Sequence, residues 1–193
     1  MAWLVAGLGN PGDTYARTRH NAGRMALDVL AETHDVRLKK ARFLPAEVAE
    51  TRIDGEPVWL VSSTRFMNES GPAYASFAAK HDIEPEHVIA VHDELEIPAG
   101  DLMLKLGGGS AGHNGLKSLT QALGTPAYLR VRVGIGRPPG RQDPADFVLQ
   151  PIGKDAAVDL AVTVARAADA VDALVSEGLA AAQQRFNRGA SSS

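Results

Sequence analysis

A short apolar run at residues 3–8, WLVAGL, stops at Gly9-Asn10-Pro11-Gly12. A run of that length bounded by turn residues reads as a strand buried on both faces. A second run, residues 88–92, ends in His92-Asp93-Glu94. Strands buried on both faces need helices above and below the sheet. Ala22, Met25, Ala26, Val29, Leu30 and Thr33 share one face of a helix over 22–34. Ala157, Leu160, Ala161, Val164, Ala168, Val171 and Val175 share one face of an Ala-rich helix over 154–176. Further helices are expected over 70–81, 115–123 and 179–186. Residues 47–53 and 57–62 flank Asp54-Gly55, a hairpin signal. Leu102–Leu106 and residues 128–135 complete the strands. Residues 35–46 read as a basic irregular connector, 63–69 and 107–115 as loops, and Pro138-Pro139-Gly140 as a further irregular loop. A length of 193 residues fits one domain. The alternation predicts an α/β fold, a mixed β-sheet flanked by helices, over 1–187, with 188–193 a disordered tail.

There is no cysteine, which removes disulfides, thiolate nucleophiles and cysteine-based zinc sites. The first residues lack a basic segment, and their apolar run is too short for a signal peptide or membrane span. The chain is therefore expected to be soluble and cytoplasmic, with no membrane partner. Its net charge of −3 is unevenly spread. Residues 102–142 hold Lys105, Lys117, Arg130, Arg132, Arg137 and Arg141 and no acid, leaving 14 basic against 23 acidic residues elsewhere. A single-sign block inside an acidic protein suits a polyanion, although a solvated face would look the same.

Several chemistries can be weighed on the motifs. Gly7-Leu8-Gly9-Asn10-Pro11-Gly12 has dinucleotide spacing, but the next helical stripe starts only near Ala22, and no acid stands where a ribose would need it. The glycine loop at 107–115 could cradle phosphate or simply pack, and it lacks the Walker lysine. No His-Glu-x-x-His and no Gly-x-Ser-x-Gly occur. His92 and Asp93 are adjacent on a strand and face opposite ways, so a metal site is not expected. What remains is a histidine–carboxylate pair that activates water. His20 lies just before a helix, and Asp93 at the end of a buried strand is the best-placed partner.

Blocks along nearly the whole chain resemble bacterial peptidyl-tRNA hydrolases. They are Gly7 to Gly12, Tyr15, Thr18-Arg19-His20-Asn21-Ala22-Gly23, Phe66-Met67-Asn68, His92-Asp93-Glu94-Leu95, Lys105 to Gly109, Gly112-His113-Asn114-Gly115-Leu116, 130–136 and Phe147-Val148-Leu149. They occur in order and at the family's spacing. The resemblance implies a monomeric, single-domain three-layer structure with a twisted mixed sheet. It implies hydrolysis of the ester joining peptide to tRNA, which recycles tRNA after ribosome drop-off, without metal or cofactor. His20 is then the base and Asp93 its orienting acid. Asn10, Asn68 and Asn114 hold peptide and water, Asn10 in the catalytic group. Tyr15 and Phe66 contact the tRNA end, with Met67 and His113 also counted among the substrate contacts. Two departures stand out. Met103 replaces a lysine often used to grip the terminal phosphate, while the partner Arg132 is kept and Lys105 shares the face of Met103. Ala111 stands where glycine is usual, which is expected to affect only loop flexibility. A nicotinamide oxidoreductase and an inactive tRNA-binding module are the rival readings, separable by NAD(H) binding and by ester cleavage.

Overall fold

A computed structural model describes residues 1–187; the tail expected over 188–193 lies outside them. Within the described residues the elements are β1 (Trp3–Gly7), α1 (Ala22–Thr33), β2 (Lys39–Lys40), β3 (Ala46–Ile53), β4 (Glu56–Ser63), α2 (Gly71–Lys80), β5 (Val88–Glu94), β6 (Leu102–Leu106), α3 (Asn114–Leu123), β7 (Leu129–Gly134), α4 (Pro144–Leu149), α5 (Lys154–Glu177) and α6 (Leu179–Phe186). The strands form one sheet in the order β2-β3-β4-β1-β5-β7-β6. The pairs β1–β4, β1–β5 and β5–β7 are parallel; β2–β3, β3–β4 and β6–β7 are antiparallel. The expected mixed α/β sheet is present.

Residues alternate across each strand, so β1 feeds two cores. Val5 packs in an apolar layer with α1 and α5, through Leu27, Leu30, Val164 and Val171. Leu4 and Ala6 pack in a second layer with α2 and α3, through Tyr74, Phe77, Leu116 and Leu119. Helices thus cover both faces of the sheet, giving three layers. Two helices seat through glycine. A Cβ on Gly23 would stand 2.0 Å from Val91 O, and one on Gly71 would stand 2.1 Å from Ser118 O. Only a bare Cα lets α1 lie against β5, and α2 against α3, at this distance.

Two elements differ from expectation. The connector at 35–46 contains β2, a two-residue edge strand, and the stretch after Pro138-Pro139-Gly140 contains α4. Strand β5 also runs two residues further, so that Asp93 is still in the ladder, paired with Val133. No helix among the described residues is long and apolar enough to cross a membrane.

Candidate active site

The parallel strands β1, β4, β5 and β7 end on one rim of the sheet, the place where α/β folds put ligands. Asp93 is the penultimate residue of β5 there and is buried. A 3-10 turn, Arg19–Asn21, delivers His20 to it immediately before α1. His20 Nδ1 lies 3.1 and 3.0 Å from Asp93 Oδ1 and Oδ2. An ionised carboxylate only accepts, so Nδ1 carries the proton and Nε2 keeps its lone pair. Nε2 makes no hydrogen bond among the described residues.

Asp93 has a second partner. His113 Nε2 lies 2.8 Å from Oδ1. His113 is also the N-cap of α3: its Nδ1 accepts from Gly115 N at 3.1 Å and Leu116 N at 3.3 Å. A nitrogen accepting from backbone N–H groups carries no proton, so Nε2–H is the donor to Asp93. Both ring nitrogens of His113 are thus committed to the protein. Burial would raise the Asp93 pKa, but the imidazoles of His113 and His20 hold its carboxyl well below the usual range. Burial likewise lowers the His20 pKa, yet the charge and hydrogen bond of Asp93 outweigh it and leave it raised. His92 faces away from this group. Its Nδ1 donates to Asp93 O at 2.8 Å, and burial first, then His113, pushes its pKa down to about 3.

His20, Asp93 and His113 bring ligand-type atoms within 4.8 Å of one another, a spacing that could suit a metal ion. The cap on His113 Nδ1 argues against that use, because it leaves a proton, not a lone pair, on the nitrogen facing Asp93.

The turn after β1 holds Asn10. Its Oδ1 accepts from Met67 N at 2.7 Å, which fixes the side-chain amide and turns Nδ2 into an uncommitted donor. Its backbone is bracketed by Asn21, which accepts from Asn10 N and donates to Asn10 O, both at 2.9 Å. Met67, expected to touch substrate, is instead buried; a Cβ on Gly115 would come within 2.5 Å of its sulfur. Tyr15 and Phe66 meet edge-on, ring centroids 6.2 Å apart, with Phe66 53% exposed. Asn68 and Asn114 are exposed. Asn114 lines a cleft of about 320 Å³ with His20 and Asp93, walled by Leu95, Val148 and Leu149.

The basic window is not a uniform patch. Arg130 is only 1% exposed; it donates to the carbonyls of Gly109 (2.6 Å), Gly108 (2.7 Å) and Pro126 (3.3 Å), bracing the glycine loop. It is therefore removed from the surface charge that sequence assigned to it. Arg137 is paired with Glu96. Met103 lies opposite Arg132 in the ladder and Lys105 opposite Arg130, so Lys105, Met103 and Arg132 do share a face. Burial, then the charges of Arg132 and Arg130, lower the Lys105 pKa. Ala111 sits at φ 48°, a left-handed conformation costing about 1–2 kcal/mol for a residue with a Cβ, so its effect exceeds flexibility.

Sequence reasoning missed Asn21 as the second amide of the Asn10 turn and α4 as a wall of the cleft. Asp143-Pro144 was the available signal for α4. The Asp143 carboxylate caps the helix by accepting from Ala145 N at 3.0 Å, and proline occupies its first position.

The family model described as peptidyl-tRNA hydrolase matches residues 4–193. A peptidyl-tRNA hydrolase of Frankia casuarinae is 53% identical over 185 residues, covering 96% of this chain and 93% of the relative. One from Kineococcus radiotolerans is 50% identical, covering 96% and 97%. The crystal structure of peptidyl-tRNA hydrolase from Acinetobacter baumannii superposes with a TM-score of 0.90 at 33% identity, over 96% of this chain and 94% of that one. An Arabidopsis thaliana 5'-methylthioadenosine nucleosidase, at 10% identity and a TM-score of 0.51, shares the fold alone.

Proposed function

The chain belongs to the peptidyl-tRNA hydrolase family and is an ester-bond hydrolase, and we propose that it cleaves the ester between peptide and tRNA with His20 as general base and Asp93 as its orienting acid. The observation that carries this reading is the bond from His20 Nδ1–H to Asp93, which leaves Nε2 as the free basic nitrogen.

Water attacks the ester carbonyl as Nε2 takes its proton. The tetrahedral oxyanion then collapses and expels the ribose oxygen of tRNA, to which the imidazolium returns the proton. Asp93 keeps the ring oriented and stabilises its charged form. His113, which also lines the cleft, uses its ring N–H to hold the carboxylate, so any contact it makes with substrate is through the ring face or edge.

Asn10 presents Nδ2–H to a peptide carbonyl, with Asn68 and Asn114 as further donors to peptide or water. An N-blocked substrate offers that carbonyl; a free aminoacyl group offers an ammonium, which would leave the amide N–H unpaired. Such a loss costs about 1–3 kcal/mol and separates the two substrates. Tyr15 and Phe66 give stacking surfaces for the unpaired tRNA end. Arg132 and Lys105 grip its terminal phosphate, Lys105 carrying the load that Met103 cannot. The protein acts as a monomer in the cytoplasm, with no metal or cofactor.

The test is hydrolysis of N-acetyl-aminoacyl-tRNA. His20→Ala should lower kcat/KM by at least about a hundredfold, the usual scale for a general base, while a chelator leaves wild type unchanged. Near-full activity in a folded His20→Ala protein would overturn the assignment.

A further inference from the structure

Strand β6 is an outer strand of the sheet, paired on one side only, with β7. At such an edge the backbone groups pointing away from the partner need other acceptors and donors. Leu104 is one of the residues whose groups point outward, and one side chain takes both of its groups. Asn187 Oδ1 accepts from Leu104 N at 2.6 Å, and Asn187 Nδ2 donates to Leu104 O at 3.2 Å. A carboxamide offers one donor and one acceptor in the arrangement of a peptide group, so Asn187 behaves as a one-residue strand. Its backbone also forms a parallel bridge with Leu102. Gln183, one turn earlier on α6, adds a second donor to Leu104 O at 3.0 Å.

Leu104 stands between Met103 and Lys105. The clip therefore holds the backbone of the segment that presents Lys105 toward Arg132. The Lys105 ammonium already runs close over Gly108, where a Cβ would stand 2.4 Å from Nζ. With methionine at 103, Lys105 is the one cation on β6, so small displacements of this strand fall on a single charge.

We propose that Asn187, supported by Gln183, is a positioning residue for the phosphate grip: the end of α6 completes the edge of β6 and fixes Lys105 relative to Arg132. This rests on the reading that Lys105 and Arg132 bind the tRNA phosphate. A merely protective cover of the sheet edge would alter stability but not the phosphate contact.

The experiment is a double-mutant cycle on N-acetyl-aminoacyl-tRNA hydrolysis with Asn187→Ala, Lys105→Ala and the pair. Asn187→Ala should raise KM about three- to tenfold with kcat within about twofold. It should also reduce the slope of log affinity against log salt by about one, as the loss of one phosphate contact does. The double variant should be no worse than Lys105→Ala alone, because both act through one contact. A raised KM in Lys105→Ala beside an unchanged KM in Asn187→Ala overturns the proposal alone, as do effects that multiply in the pair. An unchanged KM in Lys105→Ala removes the grip, and the proposal with it. If Asn187→Ala does not fold, Gln183→Ala is read the same way; a KM rise of about twofold supports the proposal and none overturns it.

Discussion

Asp93 receives two imidazole N–H groups, and the proton on each ring is set by what lies on its far side. For His113 that is the backbone of α3; for His20 it is the open cleft. The consequence is a pH signature. Burial lowers the His20 pKa, and Asp93 more than reverses this, so the folded value lies above the ordinary 6.5. A base must be neutral, so activity is lost as pH falls through the raised value. The acid limb of kcat/KM in wild type should therefore lie above 6.5. In Asp93→Asn the raising influence is gone and burial remains, so the limb should move below its wild-type position while the plateau falls more than about tenfold. A pH–rate profile of both proteins checks this; a limb that does not move, or moves upward, contradicts the pairing. His20 and Asp93 were legible in the sequence because each ends or follows an apolar run. The part played by His113 was not. Histidine is an unusual N-cap, where serine, threonine, aspartate or asparagine is the usual signal, and only the fold shows both its nitrogens occupied. Arg130 was misread for a related reason. Counting charge says nothing of depth, and its guanidinium is spent on the carbonyls of the glycine loop.

The 3-10 turn that carries His20 leads straight into α1, so the seating of α1 on β5 sets the distance between His20 and Asp93. That seating depends on Gly23, whose α-carbon lies against Val91 O and Leu8 N. An added methyl would stand 2.0 Å from a backbone oxygen, which cannot move without shifting β5. Gly23→Ala gains a little helix propensity, about 1 kcal/mol, but the overlap costs more. The net loss should be about 3 kcal/mol in urea unfolding, with activity falling in whatever remains folded. Unchanged stability would mean that α1 can lift from the sheet freely. The apolar stripes of α1 and α5 were plain in the sequence, because packing on a sheet demands them, and helices were expected where α2, α3 and α6 lie. The elements not foreseen are those too short to show a period. Strand β2 has two residues, and α4 has six, which span less than two turns and must be found from the Asp143-Pro144 cap instead.

At the scale of the whole molecule, the groups lining the cleft come from residues 20 to 149, while α5 and α6 brace the structure from outside. The order of strands is not the order of synthesis. Strand β7 is made after β6 yet sits between β5 and β6. Once released from its place of synthesis, β6 has no neighbour to join until residues 129–134 exist, and its other side stays open until Asn187 arrives. Pairing it requires closing long loops first, which is the slow part of building a sheet. In pulsed hydrogen exchange during refolding, the β6 amides that bond to β7 should gain protection no earlier than those of β7, and Leu104 N–H no earlier than the docking of α6. Early protection of β6 would show that it finds a temporary partner elsewhere. The clock of folding thus runs through the same strand as the proposed phosphate grip: the outer edge of β6 is closed only after the chain is almost complete, so a polypeptide interrupted before α6 holds His20 and Asp93 but leaves the edge beside Lys105 unfinished.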